Sequence, residues 1–179
     1  MEKKNQSKQI RIREERPEDI DQVRSVNDAA FGQASEGRIV DQLRRTDGEA
    51  ISLVAVLGEK VVGHIFFSSV RVEAEQGLIK GMGLAPMAVL PEHQREGVGS
   101  KLVTEGLKKI KEKRYPFVVV LGHEKYYPRF GFKPASEYGL KCQWDGVPDE
   151  VFMVIIYDKN KMKGVSGIAN YREEFREAM

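Results

Sequence analysis

Gln94, Gly97 and Gly99 stand in the stretch VLPEHQREGVGSKL, between an apolar run that stops at Pro91 and a segment with helical periodicity. Glycines at the start of a helix leave its first N–H groups uncovered, and a helix N-terminus carries about half a positive charge. Gln94, Gly97 and Gly99 therefore suit an oligophosphate or pyrophosphate, with Arg95 able to add charge. The stretch is not a P-loop, because it lacks the lysine and the spacing of G-x-x-x-x-G-K-[ST]. It is not a dinucleotide fingerprint either: Leu102 stands where the third glycine belongs, and no N-terminal βαβ unit precedes it. A plain strand-to-helix turn that uses glycine for its backbone angles is the competing reading.

The preceding strand adds a second half. Pro86 sits inside LAPMAVLP, and a proline in a strand marks an edge, a bulge or a place where strands part. A strand interrupted there leaves the amides and carbonyls of Met87, Ala88 and Val89 free to face a ligand that adds like an extra strand. The ligand is then expected to be amide-like at one end and a pyrophosphate at the other, and coenzyme A has that pair, pantetheine joined to pyrophosphate.

Other reactive side chains are sparse. His64, His93 and His123 show no paired-ligand spacing with Cys142, so no metal is expected. The lone Cys142 cannot form an internal disulfide and reads as a small packed thiol. The chain has 179 residues, with 29 basic against 27 acidic and a net charge of +2, which argues against a dedicated nucleic-acid surface. The start MEKKNQSKQI lacks the apolar core of a signal peptide, and no apolar run approaches the ~20 residues of a membrane span. We expect a cytoplasmic protein with no nucleic-acid or membrane partner; a homodimer is left open.

The elements that must position these groups follow from periodicity. Ile10 and Ile12 alternate with charges as in a short strand. Pro17, Glu18 and Asp19 suit a helix start, and Ile20, Val23, Val26 and Ala30 recur at helical spacing up to Gly32. A second helix is expected over about 36–45. The segments ISLVAVL, VVGHIFFSSVRV and LIKGMGLAPMAVL read as strands joined by turns. A helix over about 98–114 buries Val98, Leu102, Val103, Leu107 and Ile110, and PFVVVLG reads as a buried strand. A short helix near 125–130 and the strand VFMVIIYD complete the core. The expected fold is α/β (α+β): a mixed, largely antiparallel twisted sheet of about six to seven strands flanked by helices. Residues 1–8 are expected to be a flexible lead-in, 9–158 the domain, and 159–179 an appended segment. In that segment Val165, Ile168, Tyr171 and Phe175 would pack back, and Asn170 with Glu173 would start a helix.

MAVLPEHQREGVGSKL resembles the acetyl-CoA signature of the GNAT superfamily of N-acetyltransferases, whose core is Q/R-x-x-G-x-G/A. The resemblance extends to Tyr127 ahead of the Gly131-Phe132 pair and to the early segment IRIREERPEDIDQVRSVNDAAF, and covers about residues 9–158. GHIFFSSV, LGHEKYYPRFGF and the late spacing of Gly167, Tyr171 and Phe175 resemble a bacterial subgroup of predicted N-acetyltransferases. The resemblance implies a splayed strand pair at the cofactor site, acetyl-CoA as co-substrate, and direct transfer of its acetyl group to a primary amine of a small molecule or protein. It implies a cofactor site over Met87, Ala88, Val89, Gln94, Arg95, Glu96, Gly97, Val98, Gly99 and Ser100. A backbone N–H near Val89 would steady the oxyanion, and Tyr127 would protonate the leaving thiolate, with Tyr126 adjacent as the other candidate. His123 is expected to be catalytic. For the base that accepts the amine's proton, Glu36, His64, His123, Glu124 or a water chain stay open, although His64 reads better as a satisfied core residue. Trp144 reads as packing on a substrate-side loop, and Lys101 as a group that could meet a phosphate. A non-catalytic acyl-CoA-binding regulatory module and an unrelated phosphate-binding protein are the alternatives.

Overall fold

Side-chain alternation along the central strands divides the core into two faces, each covered by helices. The computed structural model describes residues 9–178. Its elements are β1 (Arg11–Glu14), α1 (Ile20–Phe31), α2 (Ser35–Thr46), β2 (Ile51–Leu57), β3 (Lys60–Ala74), β4 (Gly77–Val89), α3 (Val98–Glu112), β5 (Phe117–Leu121), β6 (Lys133–Pro134), β7 (Leu140–Cys142), β8 (Phe152–Ile156) and β9 (Gly167–Asn170). One face gathers Val54, Val56, Val70 and Val119 under Val23 and Val26 of α1 and Ile39, Val40 and Leu43 of α2. The other gathers Leu53, Ala55, Val118 and Val120 under Val98, Leu102, Val103, Leu107 and Ile110 of α3. Each face thus uses every second residue of a strand, as the pleat requires.

The sheet runs β1-β2-β3-β4-β5-β8-β6, antiparallel throughout this order except for the parallel pair β4–β5. The helical crossover α3 between β4 and β5 makes that pair parallel. This is a mixed, largely antiparallel sheet with helices on both faces, the expected fold class. Among the described residues it has nine strands rather than six or seven. The additions are β6, β7 and β9, two to four residues each, too short to show a period.

β9 corrects the expected helix start at Asn170 and Glu173. Asn170 ends a strand, and Glu173–Ala178 is a 3-10 helix. The reason lies in β3, which outruns β2: β2 pairs as far as Phe67, and β9 takes the vacant edge at Arg71 and Val72. Val165, Tyr171 and Phe175 are buried as expected, whereas Ile168 is exposed. The Tyr171 ring lies where a side chain at Gly83 would stand and packs on Trp144 and Phe175. The 3-10 helix is tied to α2 by a hydrogen bond from Thr46 to Glu174. The expected lead-in, residues 1–8, lies outside the described residues.

Candidate active site

The parting of strands read from Pro86 is present. β4 pairs with β5 only over Met82–Leu84, opposite Val118–Val120. Immediately beyond, the β3–β4 register jumps from Phe67↔Leu84 to Ile65↔Met87, so Ala85 and Pro86 share one position opposite Phe66. That is a bulge, and a bulge bends its strand; Pro86 also has no N–H to give a ladder. β4 therefore leaves β5 and continues beside β3 alone.

Backbone alternation then sets which groups face the gap. The Leu90 N–H bonds to the Val62 carbonyl, and Val89 stands opposite Gly63. Leu90 and Ala88 thus turn their polar groups to β3, while Met87 and Val89 turn theirs to the side that β5 has left. The Val89 carbonyl is met by the Gln94 side-chain amide at 3.0 Å. The N–H of Val89 faces the side that β5 has left.

The loop to α3 holds two left-handed residues, Arg95 (φ 63°) and Gly97 (φ 82°). Gly97 is the residue before the helix, and its surroundings are open, so backbone angle rather than crowding selects glycine there. Gly99 is selected differently. A Cβ on it would lie 3.1 Å from the Tyr126 hydroxyl and 3.4 Å from the Met87 sulfur. The Lys101 N–H is the first to find a partner in the helix, at the Gly97 carbonyl. The amides of Val98, Gly99 and Ser100 precede it and point outward from the helix end. Arg95 and Glu96 are exposed beside them, with Glu96 3.4 Å from His93. Of the expected binding residues, Met87 and Val89 stand at the open edge of β4 and Gln94 to Gly97, Gly99 and Ser100 at the start of α3, whereas Ala88 turns to β3 and the Val98 side chain is buried in the core.

The two tyrosines divide the space next to this rim. Tyr126 reaches Ser100, hydroxyl to hydroxyl at 3.3 Å, and carries the Arg129 guanidinium over its ring at 4.5 Å. Tyr127 begins a 3-10 turn over Tyr127–Phe130, and its N–H and that of Tyr126 before it both bond to the His123 carbonyl. Its ring is buried edge-on against Tyr126 and Phe132 and fills the space beside Gly122. Burial, and then the neighbouring Tyr126, push its phenol well above the ordinary tyrosine range. At neutral pH it keeps its proton and can donate it in a hydrogen bond.

The base candidates separate clearly. His64 is fully buried, with Asn27 3.0 Å from Nδ1 and Ser52 2.9 Å from Nε2. Burial, followed by the Arg44 charge, holds it at about 3. It is a satisfied core residue. Glu36 is occupied at the start of α2 by Ser35 (2.7 Å) and Gln33 (2.9 Å). His123 and Glu124 are exposed and line a cavity of about 800 Å³ at the end of β5, together with Trp144 and Asp145. Sequence reasoning had not joined Trp144 to His123, because twenty residues and two short strands separate them; the nearest signal was its place in a Gly- and Pro-bounded loop, QWDGVP. Burial raises the Cys142 thiol, as suits a packed side chain. No cluster of metal-ligating residues occurs among the described residues.

Residues 11–135 match the family described as Acetyltransferase (GNAT) domain. The chain belongs to this acetyltransferase family. GNAT relatives agree over nearly its whole length. It is 34% identical over 165 residues to the uncharacterized N-acetyltransferase YhbS of Escherichia coli K12, covering 92% of this chain and 97% of YhbS. The crystal structure of E. coli YhbS in complex with CoA superposes with a TM-score of 0.84 at 32% identity, covering 93% and 91% of the two chains. A GNAT acetyltransferase from Brucella melitensis in complex with acetyl-CoA gives a TM-score of 0.76 at 34% identity, covering 94% and 99%. Among the described residues no helix is long and apolar enough to cross a membrane.

Proposed function

We propose that this GNAT enzyme transfers the acetyl group of acetyl-CoA directly to the primary amine of a small molecule. The observation that carries this is the open edge of β4 at Met87 and Val89, continuous with the glycine-gated start of α3. One strand edge offers N–H and C=O groups to a pantetheine arm, and the helix end offers three amides without intrahelical partners to a pyrophosphate, which is the pairing that coenzyme A requires. The thioester supplies the acetyl group; the chain supplies position and charge. Val89 N–H is the proposed donor to the carbonyl oxygen as negative charge develops there, and preorganised donors of this kind are a large term in acyl transfer.

Tyr127 is the proposed general acid. Its phenol stays neutral, and among the described residues its hydroxyl makes no hydrogen bond and is not one of the sealed, unpartnered polar atoms. A proton donor that is neither spent on the protein nor closed off suits a leaving thiolate. His123, on the cavity wall four residues before Tyr127, is the proposed catalytic partner on the amine side. The protein is proposed to work in the cytoplasm, since Cys142 can make no internal disulfide.

Release of free thiol from acetyl-CoA on addition of an amine panel tests the reading. Amine-dependent thiol release that falls in Tyr127→Phe supports it. Tight acetyl-CoA binding with no amine-dependent release across the panel would indicate the non-catalytic regulatory module instead.

A further inference from the structure

Leu121 is the first residue of β5 past the last pair with β4, Leu84 and Val120. Leu121 and Gly122 also line the 800 Å³ cavity, so it opens at the end of β5 just past that pairing. Such a volume falls in the ordinary range of small-molecule sites, roughly 300–1,000 Å³. Its far wall is the loop after β7, with Trp144 and Val147, and its rim carries His123, Glu124 and Asp145. Glu124 and Asp145 are the only full charges among the lining residues; no lysine or arginine joins them. The Trp144 ring is held 5.2 Å from the Tyr171 ring, so its position is set by the core beneath it.

We infer that the acceptor is a primary amine on an apolar, aromatic body that carries no carboxylate, an arylalkylamine in chemical class. This rests on the acetyl-transfer reading above. The ammonium gains from two carboxylates and from an aromatic face, while the apolar body replaces water against Leu121, Trp144 and Val147. A free amino acid brings a carboxylate toward two like charges with no cation to meet it. A polyamine must place a second ammonium against the apolar wall, which costs free energy. A lysine side chain offers no aromatic body to stack on Trp144.

Trp144 is the only tryptophan in the chain, so its emission reports on this cavity. Four probes are compared in the presence of saturating CoA: 2-phenylethylamine, L-phenylalanine, spermidine and a short lysine peptide. The expected result is that 2-phenylethylamine shifts or quenches Trp144 emission at concentrations at least about tenfold lower than the others. With acetyl-CoA, the same amine is expected to show the highest kcat/KM by thiol release. Converting both carboxylates, Glu124→Gln with Asp145→Asn, is expected to lower its affinity several-fold while calorimetric acetyl-CoA affinity stays unchanged. The inference is overturned if any other probe equals or exceeds 2-phenylethylamine, or if no probe moves the emission. Acetyl-CoA binding without acetylation of any amine overturns the transfer reading, and the emission titration then still decides the ligand class.

Discussion

The Gln94 side-chain amide donates to the Val89 carbonyl at 3.0 Å, so the loop that opens α3 is pinned to the last residue of β4. The two halves of the proposed coenzyme site share this hydrogen bond. Gln94→Ala breaks it. A single such bond is worth about 1 kcal/mol, so acetyl-CoA affinity is expected to fall about fivefold. Gln94→Glu is expected to fall further, because a carboxylate cannot donate to Val89 and repels the phosphates. Calorimetric titration of both variants checks the order.

Gly97 is set by its backbone angle, with open space around it. Gly97→Ala forces a Cβ into the left-handed region at a cost of about 1 kcal/mol. For a chain of this size that lowers Tm by about 2–4 °C. Thermal unfolding measures it, and a weaker response to added acetyl-CoA is expected from the same variant.

Removing the Tyr127 hydroxyl is expected to lower kcat about 100-fold with little change in acetyl-CoA affinity. Tyr126→Phe is expected to act in the opposite way, raising KM for acetyl-CoA more than it lowers kcat, because its hydroxyl faces Ser100 at the helix start. Because burial raises the Tyr127 phenol, the kcat profile of the wild type should show no limb from its ionisation below about pH 10. Steady-state kinetics across pH separates these cases.

His64 is held at about 3 by burial. Its ordinary value is near 6.5, so between those values the unfolded chain takes up a proton that the native chain refuses. This contribution to stability is complete above about pH 6.5 and is lost as pH falls toward 3. His64→Gln loses part of the buried network with Asn27 and Ser52 but also loses this slope. Its deficit in Tm against wild type is expected to narrow from pH 7 to pH 4.

Among the described residues the buried Tyr171 hydroxyl has no hydrogen-bond partner. Tyr171→Phe removes a desolvated polar group and keeps the ring against Gly83. Its Tm is expected to equal or exceed that of the wild type, since an unmade buried hydrogen bond costs free energy. Thermal unfolding without ligand checks the sign.

What could be read in the sequence was what is local. α1 and α3 announce themselves because Val23 and Val26, or Val103 and Leu107, recur with the helix period. Gln94, Gly97, Gly99 and Pro86 were legible because loop angle and strand disruption are written in single residues. The expected Asn170 and Glu173 helix start misled because local capping chemistry lost to a free strand edge at Arg71 and Val72, a hundred residues earlier in the chain. The Trp144 wall was hidden for the same reason: its place beside His123 depends on how β7 and β8 close the sheet.

The β9 segment makes the sheet's completion a late event. Its partner β3 is formed early in the chain, and α2 receives Thr46–Glu174 from the other end. Contacts between residues so far apart carry a loop-closure cost that local helices do not. During synthesis the edge of β3 at Arg71 and Val72 therefore waits, unpaired, until residues 167–175 arrive. Over that interval the nascent chain exposes a strand edge open to the wrong partner.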